Sequence, residues 1–215
     1  RAETRTHTVG KMHDALAAGL LVGLSVAVFV GGAAMVVMET AIQRGPVLAL
    51  AAGGGIATGD ALWATLAAGA GAAHSRLLAS AATALQWIAI AALASLLILA
   101  VHELLRPEPP ASVVGLSLSP LSAYGEFLAH ALRHPTTVVF FAGIIIGAAP
   151  HYSAAEAAAF VAGVFLASLS WQWFLAVAGT WRRRPFSGRA RRGVLALDCV
   201  LLAMFIAEIA LGRVP

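Results

Sequence analysis

The sequence predicts an all-α membrane protein with six transmembrane helices, and three observations indicate this fold class. Of the 215 residues, 60% are apolar and 11% are charged, whereas a soluble domain carries about 25% charged residues. Hydrophobicity does not alternate along the apolar segments, which disfavours a transmembrane β-barrel. Each segment also reaches the roughly 20 residues that a helix needs to cross the hydrocarbon core. The predicted spans are 15–38, 45–73, 77–101, 135–155, 157–181 and 193–212.

The first span is longer than the apolar core of a signal peptide, which has about 7 to 15 residues, and further spans follow it. We therefore interpret it as a retained helix that follows an N-terminal segment, 1–14. Pro and Gly residues end the predicted spans, and the longest connection, 106–125, lies near the middle of the chain. This connecting loop separates a first three-helix half, 15–105, from a second three-helix half, 126–215.

The two halves are weakly similar in sequence. Residues 54–70 and 163–179 share an opening glycine, small residues in the middle, a tryptophan near the centre and a Leu-Ala pair, at an offset of 109 residues. Three helices per half give the halves opposite orientations in the membrane. The sequence therefore predicts two inverted repeats, an arrangement found in secondary transporters with a site near the midplane between the repeats. A chance alignment of Ala-rich and Gly-rich helices is the alternative.

Basic residues outnumber acidic residues, 14 to 10, but their placement does not indicate a nucleic-acid partner. Six arginines lie together in 182–192, between the last two predicted spans. Short cytoplasmic loops of membrane proteins are enriched in Lys and Arg, so this group of arginines is a topology signal. It predicts a cytoplasmic 182–192 loop and places both chain termini on the other side of the membrane.

Two further kinds of chemistry are disfavoured. The chain has one cysteine, Cys199, whereas thiol exchange within a membrane protein needs two. It has no GxxxxGK[ST] phosphate loop, so the sequence does not indicate ATP-driven transport within this chain. We expect no cofactor and no enzymatic activity, and a driving force from ion gradients or from the gradient of the solute itself.

Asp60 is the strongest single functional signal in the sequence, because it is the only charged residue between positions 45 and 73. A charge at the centre of a span costs roughly 2.5–3.5 kcal/mol on insertion scales, so such a residue normally faces a cavity or a partner. Burial favours the neutral carboxyl, which can exchange a proton when the cavity is wetted. Helical spacing places Asp60 on a Gly and Ala face with Trp63 beside it. A structural hydrogen bond to a neighbouring helix is the alternative.

The fifth predicted span carries a second polar segment, "SLSWQW". Ser168 and Gln172 are four residues apart and share a helical face with Trp171, which offers hydrogen bonds and an aromatic wall to a polar ligand. Interhelical hydrogen bonding, worth about 0.6 kcal/mol per bond, explains the same residues equally well. In the last span, Asp198 and Glu208 lie towards the ends, where an ion pair or contact with the membrane interface accounts for them as well as transport does.

Glu126, His130 and His134 lie at i, i+4 and i+8, so one helical face could bind a divalent metal. The HExxH arrangement that supplies a general base is absent. A metal-binding protein or divalent-metal carrier with these three ligands is the alternative function, and the sequence predicts no other metal site. Pro135 follows them, and a helix break at this proline frees backbone groups that can line a cavity.

Gly31 and Gly32 are adjacent in the first predicted span. A glycine weakens a helix by about 1 kcal/mol relative to alanine. Local unwinding, with a close approach of a ligand to the backbone, is one interpretation of this pair. Close packing of helices is the other.

The order and spacing of three motifs resemble the LysE family of amino-acid exporters over residues 15–212. These motifs are "GLSVAVFVGGAAMVVMETAIQRGPVLALAAGGGIATGDALWATLAAG", "LRHPTTVVFFAGIIIG" and "FVAGVFLASLSWQWFLAVAG". In the terms of this resemblance, Gly31 and Gly32 match a break in the first helix, and "RG" at 44–45 matches a turn. Asp60 matches the acid of the second helix, and Pro135 matches the opening of the fourth.

Two positions depart from the family pattern: Phe29 stands where members have proline, and His134 stands where they have asparagine. The resemblance implies export of amino acids or related small polar solutes, exchanged against protons by alternating access, in a lipid bilayer. The oligomeric state is left open, and a homodimer is one possibility. Together with the residue patterns, it predicts a substrate and proton pathway formed by Asp60, Gly31, Gly32, Trp63, His134, Pro135, Ser168, Trp171 and Gln172.

Overall fold

The computed structural model describes residues 2–29, 31–73, 119–134, 152–182 and 188–211, with parts of 83–105 and 137–142. Apart from short turns these residues are helical, and they include no strand, which confirms the all-α prediction. The helices are α1 (Ala2–Phe29), α2 (Gly31–Arg44), α3 (Pro46–Ala73), α4 (Pro120–Arg133), α5 (Ala154–Arg182) and α6 (Gly188–Ala210).

Three segments of these helices are long and apolar enough to cross a membrane: Gly10–Val28, Pro46–Gly69 and Ala154–Trp181. Large apolar side chains project from them, among them Leu21 and Phe174, which are 69% and 61% exposed. Side chains of this kind are stable at the surface when lipid surrounds them. The prediction of apolar membrane-spanning helices is therefore confirmed for these three segments.

Helices α1 and α2 cover most of the first predicted span, and residue 30 between them lies outside the described residues. Gly31 and Gly32 are helical, so the structure gives the unwinding interpretation of this pair no support and leaves close packing as the other. Residues 2–14, expected as a separate N-terminal segment, are continuous with the helix that follows.

The turn between α2 and α3 is centred on Gly45, whose φ of 92° lies in the left-handed region that favours glycine. The Gly45 N–H donates to the Ala41 carbonyl at 3.1 Å and closes the end of α2. Pro46 then begins α3, at a helical position where its missing N–H leaves no bond unmade. The "RGP" sequence thus acts as the predicted helix break.

Helix α4 begins at Pro120, within the segment 106–125 that the sequence predicted as a connection. Ser119 caps it, because its hydroxyl accepts from the Ser122 N–H at 3.2 Å. The helix buries an apolar face formed by Ala123, Phe127 and Ala131. A serine followed by proline is a helix-start signal, so the sequence did contain the information that this connection ends early.

Helix α4 ends at Arg133, and His134 has an extended backbone with φ −70° and ψ 118°. The following residue in the sequence is proline, which sterically disfavours the helical conformation at the preceding position. Helical structure resumes at once, since the Val138 N–H donates to the His134 carbonyl at 3.2 Å. Pro135 itself lies outside the described residues, but His134 has the conformation that the predicted break requires.

Helix α5 begins with a capping box. The Ser153 N–H donates to the Glu156 carboxylate at 2.8 Å, and the Glu156 N–H donates back to the Ser153 hydroxyl at 3.4 Å. This start fixes the register of a 29-residue helix that contacts α1, α2 and α3. Helix α5 is therefore the element against which the described bundle is organised.

Glycines allow α1 and α5 to pack backbone against backbone. A Cβ atom at Gly163 would lie 2.5 Å from the Leu16 carbonyl oxygen and 2.8 Å from the Leu20 nitrogen, and one at Gly23 would lie 2.5 Å from the Val164 carbonyl oxygen. Side chains larger than a hydrogen atom do not fit at such distances, so this close contact depends on glycine.

The same arrangement joins α3 and α4. A Cβ atom at Gly55 would contact the Tyr124 carbonyl oxygen and would lie 2.9 Å from the Leu128 nitrogen, while one at Gly59 would lie 2.6 Å from Ala131 Cβ. The two nearest atoms correspond for Gly163 and Gly55: a carbonyl oxygen and, four residues later, a backbone nitrogen. Each residue of the second half is numbered 108 above its counterpart in the first, in the pairs Gly55 with Gly163, Leu16 with Tyr124, and Leu20 with Leu128.

Two buried apolar clusters form the core. The α4 cluster consists of Val37, Ala41, Ala49, Ala52, Ile56, Ala123, Phe127, Ala131, Leu175 and Ala176. The α1 cluster consists of Ala15, Val26, Ala64, Ala67, Ala68, Phe140, Phe141, Phe160 and Val164. Ile56 and Ala64 belong to different clusters and lie one helical turn on either side of Asp60. The buried carboxyl therefore lies between the two clusters.

Candidate functional site

The centre of the candidate site is a hydrogen bond between α3 and α5. The Ser168 hydroxyl donates to Asp60 Oδ2 at 2.6 Å, with Ser168 fully buried and Asp60 only 3% exposed. A buried carboxyl without a partner would be costly, and a short bond of this kind offsets part of that cost. The two polar segments that the sequence singled out in separate halves thus meet at this bond.

A small cavity borders Asp60. Its lining residues come from α1, α3, α4, α5 and the segment after α4, and they are Val26, Ala27, Ile56, Asp60, His130, Ala131, His134, Thr137 and Gln172. Its volume is about 10 Å³, which is about the room for one water molecule. The described conformation is therefore closed around the carboxyl group and admits no larger solute.

Gln172 is the most unusual polar residue in this cavity. Its side chain is fully buried, yet neither its amide nitrogen nor its amide oxygen has a hydrogen-bond partner in the described structure. Leaving a buried polar group unpaired costs roughly 1–3 kcal/mol, so such groups in native proteins call for an explanation. The amide offers two donors and one acceptor to a guest beside Asp60.

His130 and His134 form the wall of the cavity on the α4 side. Their rings lie one helical turn apart, with centroids separated by 5.0 Å. Nδ1 of His134 is buried without a partner, whereas His130 remains exposed on its outer side. Of the described residues that line the cavity, none is Lys or Arg. Among the described residues, the site therefore combines one carboxyl with histidine, threonine and glutamine side chains.

The structure brings together four of the nine predicted pathway residues: Asp60, His134, Ser168 and Gln172. Trp63 and Trp171 do not line this cavity, although the indole N–H of each is buried without a described partner. They pack instead against the α1 cluster and the α4 cluster, respectively. Their Nε1 atoms remain candidates for pairing in another conformation.

The surroundings of the other predicted pathway residues are not described. Gly31 and Gly32 open α2, and their contacts lie outside the description. Pro135 lies outside the described residues. Asp198 and Glu208 are in α6, and their side chains also lie outside the description.

The proposed metal ligands do not come together as a set. His130 and His134 line the cavity beside Asp60, but Glu126 does not. Within the described ranges, no group of three or more His, Cys, Asp or Glu side chains is arranged to hold a metal ion. The structure gives the metal-binding alternative no support.

Sequence reasoning missed some of the lining residues. His130 was considered only as a metal ligand, and Thr137 was not singled out, although both lie on the cavity wall. A signal for His130 was present, because it precedes His134 by one helical turn. For Thr137, a polar residue just after a predicted helix break was the available indication.

A second, larger cavity of about 780 Å³ lies between α3 and the first half of α5. It begins at Ala61, next to Asp60 in sequence, and its wall is mostly alanine with Phe165. Thr65 and Tyr152 supply its polar groups, and the Thr65 hydroxyl is already bonded to the Ala61 carbonyl. This cavity is suited to apolar contact rather than to chemistry.

Long apolar helices around one buried carboxyl and several unpaired polar groups define an integral membrane protein with an internal polar site. The chain belongs to the LysE type translocator family, whose model matches residues 24–212. The family suggested by the sequence motifs is therefore confirmed, and the protein is a membrane translocator. No curated protein and no solved structure matches the chain.

Proposed function

We propose that this protein is a secondary transporter that exports amino acids or related small polar solutes across a bacterial plasma membrane. The observation that carries the proposal is the cavity in which Asp60 lies beside the unpaired amide of Gln172. Asp60 accepts the amino group of the solute or a proton. Gln172 and His134 hydrogen-bond the rest of its polar head.

Proton coupling follows from the surroundings of the carboxyl. Asp60 is buried and faces no Lys or Arg among the described residues of the cavity, so its charged form is stable only when water or a cationic group reaches it. Proton binding and binding of an ammonium group then compete for one carboxyl. This competition is the minimum that an exchanger of amino compounds for protons requires.

Six spans in two inverted repeats are the architecture we propose, and the close contacts of α1 with α5 and of α3 with α4 support it. An operation that exchanges the halves converts the contacts of Gly163 with Leu16 and Leu20 into those of Gly55 with Tyr124 and Leu128, at a residue difference of 108. Five pairs of core residues correspond in the same way between the α1 cluster and the α4 cluster: Ala15 and Ala123, Ala52 and Phe160, Ile56 and Val164, Ala67 and Leu175, and Ala68 and Ala176.

Alternating access requires a hinge, and the end of α4 offers one. Helix α4 ends at Arg133, His134 has an extended backbone, and the chain is helical again at Thr137. This interruption borders the Asp60 cavity, which is lined by His134 and Thr137. Tilting of α4 about this point would open the cavity towards one side of the membrane.

The proposal is tested with purified protein in liposomes under an imposed proton gradient. We expect gradient-dependent flux of at least one member of a panel of labelled amino acids, above that of protein-free vesicles and of vesicles without a gradient. The same panel should include Zn²⁺ and Mn²⁺, which we expect not to move. An absence of flux for every amino acid, or flux of a metal ion alone, would overturn the proposal.

A further inference from the structure

We infer that Asp60 and Ser168 lie on the local two-fold axis relating the two halves, so that Ser168 is the counterpart of Asp60 and positions its carboxyl. A carboxyl group at position 60 on α3 or at position 168 on α5 should then support transport. This inference rests on the proposed function, because transport is the readout that tests it.

The numbering of the close contacts leads to this axis. The contact between Gly163 and Leu16 is matched by the contact between Gly55 and Tyr124, with the halves exchanged and every residue number shifted by 108. A two-fold operation converts each of these contacts into the other. A contact on the axis must instead convert into itself.

The hydrogen bond between Asp60 and Ser168 meets this condition, because its partners are themselves 108 residues apart. Exchanging the halves places Ser168 at the position of Asp60 and Asp60 at the position of Ser168. The neighbouring core residues agree: Ile56 and Val164 precede the bonded pair by four residues on α3 and α5, and each belongs to a different cluster. The bond therefore lies where the two halves meet.

The chemistry of the pair is compatible with exchange. The oxygens of the two side chains are 2.6 Å apart, so a serine at position 60 and an aspartate at position 168 would form the same bond with donor and acceptor reversed. The carboxyl group would move by about the length of one hydrogen bond and stay between the same clusters. Gln172 would remain in the cavity, now one turn along the same helix from the carboxyl.

The experiment compares D60S, S168D and the exchanged double variant D60S/S168D in liposomes, with the solute for which the wild type shows gradient-dependent flux. We expect D60S to lose flux and the double variant to recover it with a pH dependence like that of the wild type. Thermal unfolding is measured in parallel. The double variant should unfold at a higher temperature than D60S, because the buried bond is restored.

The matched control places the carboxyl one turn away on the original helix, in D60S/A64D. Ala64 is fully buried on the same face of α3 and belongs to the α1 cluster, whereas its counterpart by the same numbering, Gln172, lines the cavity. Unlike Asp60 and Ser168, these two residues are not joined by a described hydrogen bond. We expect this variant to fold without recovering flux. Recovery in the control would overturn the inference, since any nearby carboxyl would then suffice.

The remaining outcomes separate this inference from the proposed function. A double variant that folds like the wild type but carries no flux, or one in which the melting temperature does not recover, refutes the shared axis and leaves the transporter proposal intact. Full flux in D60S refutes the role of the carboxyl itself. No flux in the wild type refutes the proposed function before the exchange is considered.

Discussion

The α4 cluster and the α1 cluster contain corresponding residues, yet the polar side chains of the cavity between them come mainly from the second half of the chain. Gln172 and His134 line the cavity, whereas the positions numbered 108 lower are Ala64 and Val26, both members of the α1 cluster. The backbone contacts repeat between the halves, but the polar side chains do not. The difference fits the proposed pair of repeats, with the polar groups of the proposed solute site contributed mainly by one of them.

The largest effect should come from filling either glycine contact. We expect Gly55→Ala and Gly163→Ala each to lower the free energy of unfolding by roughly 1–3 kcal/mol, because the new methyl group would meet backbone atoms that cannot move aside. Thermal unfolding in detergent measures this. A large loss for one variant and none for the other would show that the two contacts are not equivalent.

Gly125→Ala is the control for both, because Gly125 lies in α4 with nothing within 4 Å of the added methyl group. Here alanine should raise stability by up to about 1 kcal/mol, since it is the better helix former. The opposite signs of control and test variants separate a packing clash from a general effect of removing glycine.

The next effect is expected at the hydrogen bond between Ser168 and Asp60, which lies between the two clusters. Ser168→Ala leaves the Asp60 carboxyl without its described hydrogen bond, and we expect a loss of about 1–3 kcal/mol in stability. Ser168→Thr keeps a hydroxyl and should retain more of the stability. Equal melting temperatures for the alanine variant and the wild type would show that the bond contributes nothing.

Replacing the unpaired polar side chain of the cavity by an apolar one should raise stability. Gln172→Leu replaces an unpaired buried amide by an apolar side chain of similar size, so we expect a gain towards the lower end of about 1–3 kcal/mol. Solute flux should fall in the same variant, since the amide is lost from the cavity.

Gln43→Leu is the matched control for this gain. The Gln43 amide donates to the Glu39 carboxylate at 2.5 Å and lies on an exposed part of α2. Its replacement should not raise the melting temperature. If Gln172→Leu, like Gln43→Leu, does not raise the melting temperature, the amide of Gln172 is paired in solution and does not mark a binding site.

The smallest effect is expected at the contact between α3 and α4. The Tyr124 hydroxyl donates to Thr58 at 2.9 Å, and Thr58 donates onwards to the Gly54 carbonyl. Tyr124→Phe should cost about 0.6 kcal/mol, the usual value for one interhelical bond in a membrane protein. A loss as large as that of Gly55→Ala would mean that hydrogen bonding rather than close packing joins these helices.

Composition and local patterns predicted much of this protein. The apolar segments gave the helical membrane fold, the "RGP" turn was located correctly, and the isolated charge at Asp60 indicated a buried group with a partner. These features depend on single residues or short segments whose physical requirements are local. An unpaired charge in an apolar segment, in particular, needs the same solution in any fold.

Features that depend on contacts between distant segments were less predictable. The internal similarity was aligned at an offset of 109, whereas the contacts repeat at 108, because small residues align nearly as well in either register. The entry of His130 into the cavity depends on how α4 packs on α3. Hydrophobicity did not indicate the early start of α4, because this amphipathic helix is too polar to be recognised as a span.

The role of the Asp60 carboxyl is tested most directly by proton-gradient-driven flux in Asp60→Asn compared with the wild type at equal protein content in liposomes. Asparagine keeps the size of the side chain and can still accept the bond from Ser168, but it can neither bind a proton nor carry a negative charge. We expect a folded protein without gradient-driven flux. Undiminished gradient-driven flux in Asp60→Asn would show that the carboxyl does not couple transport to protons.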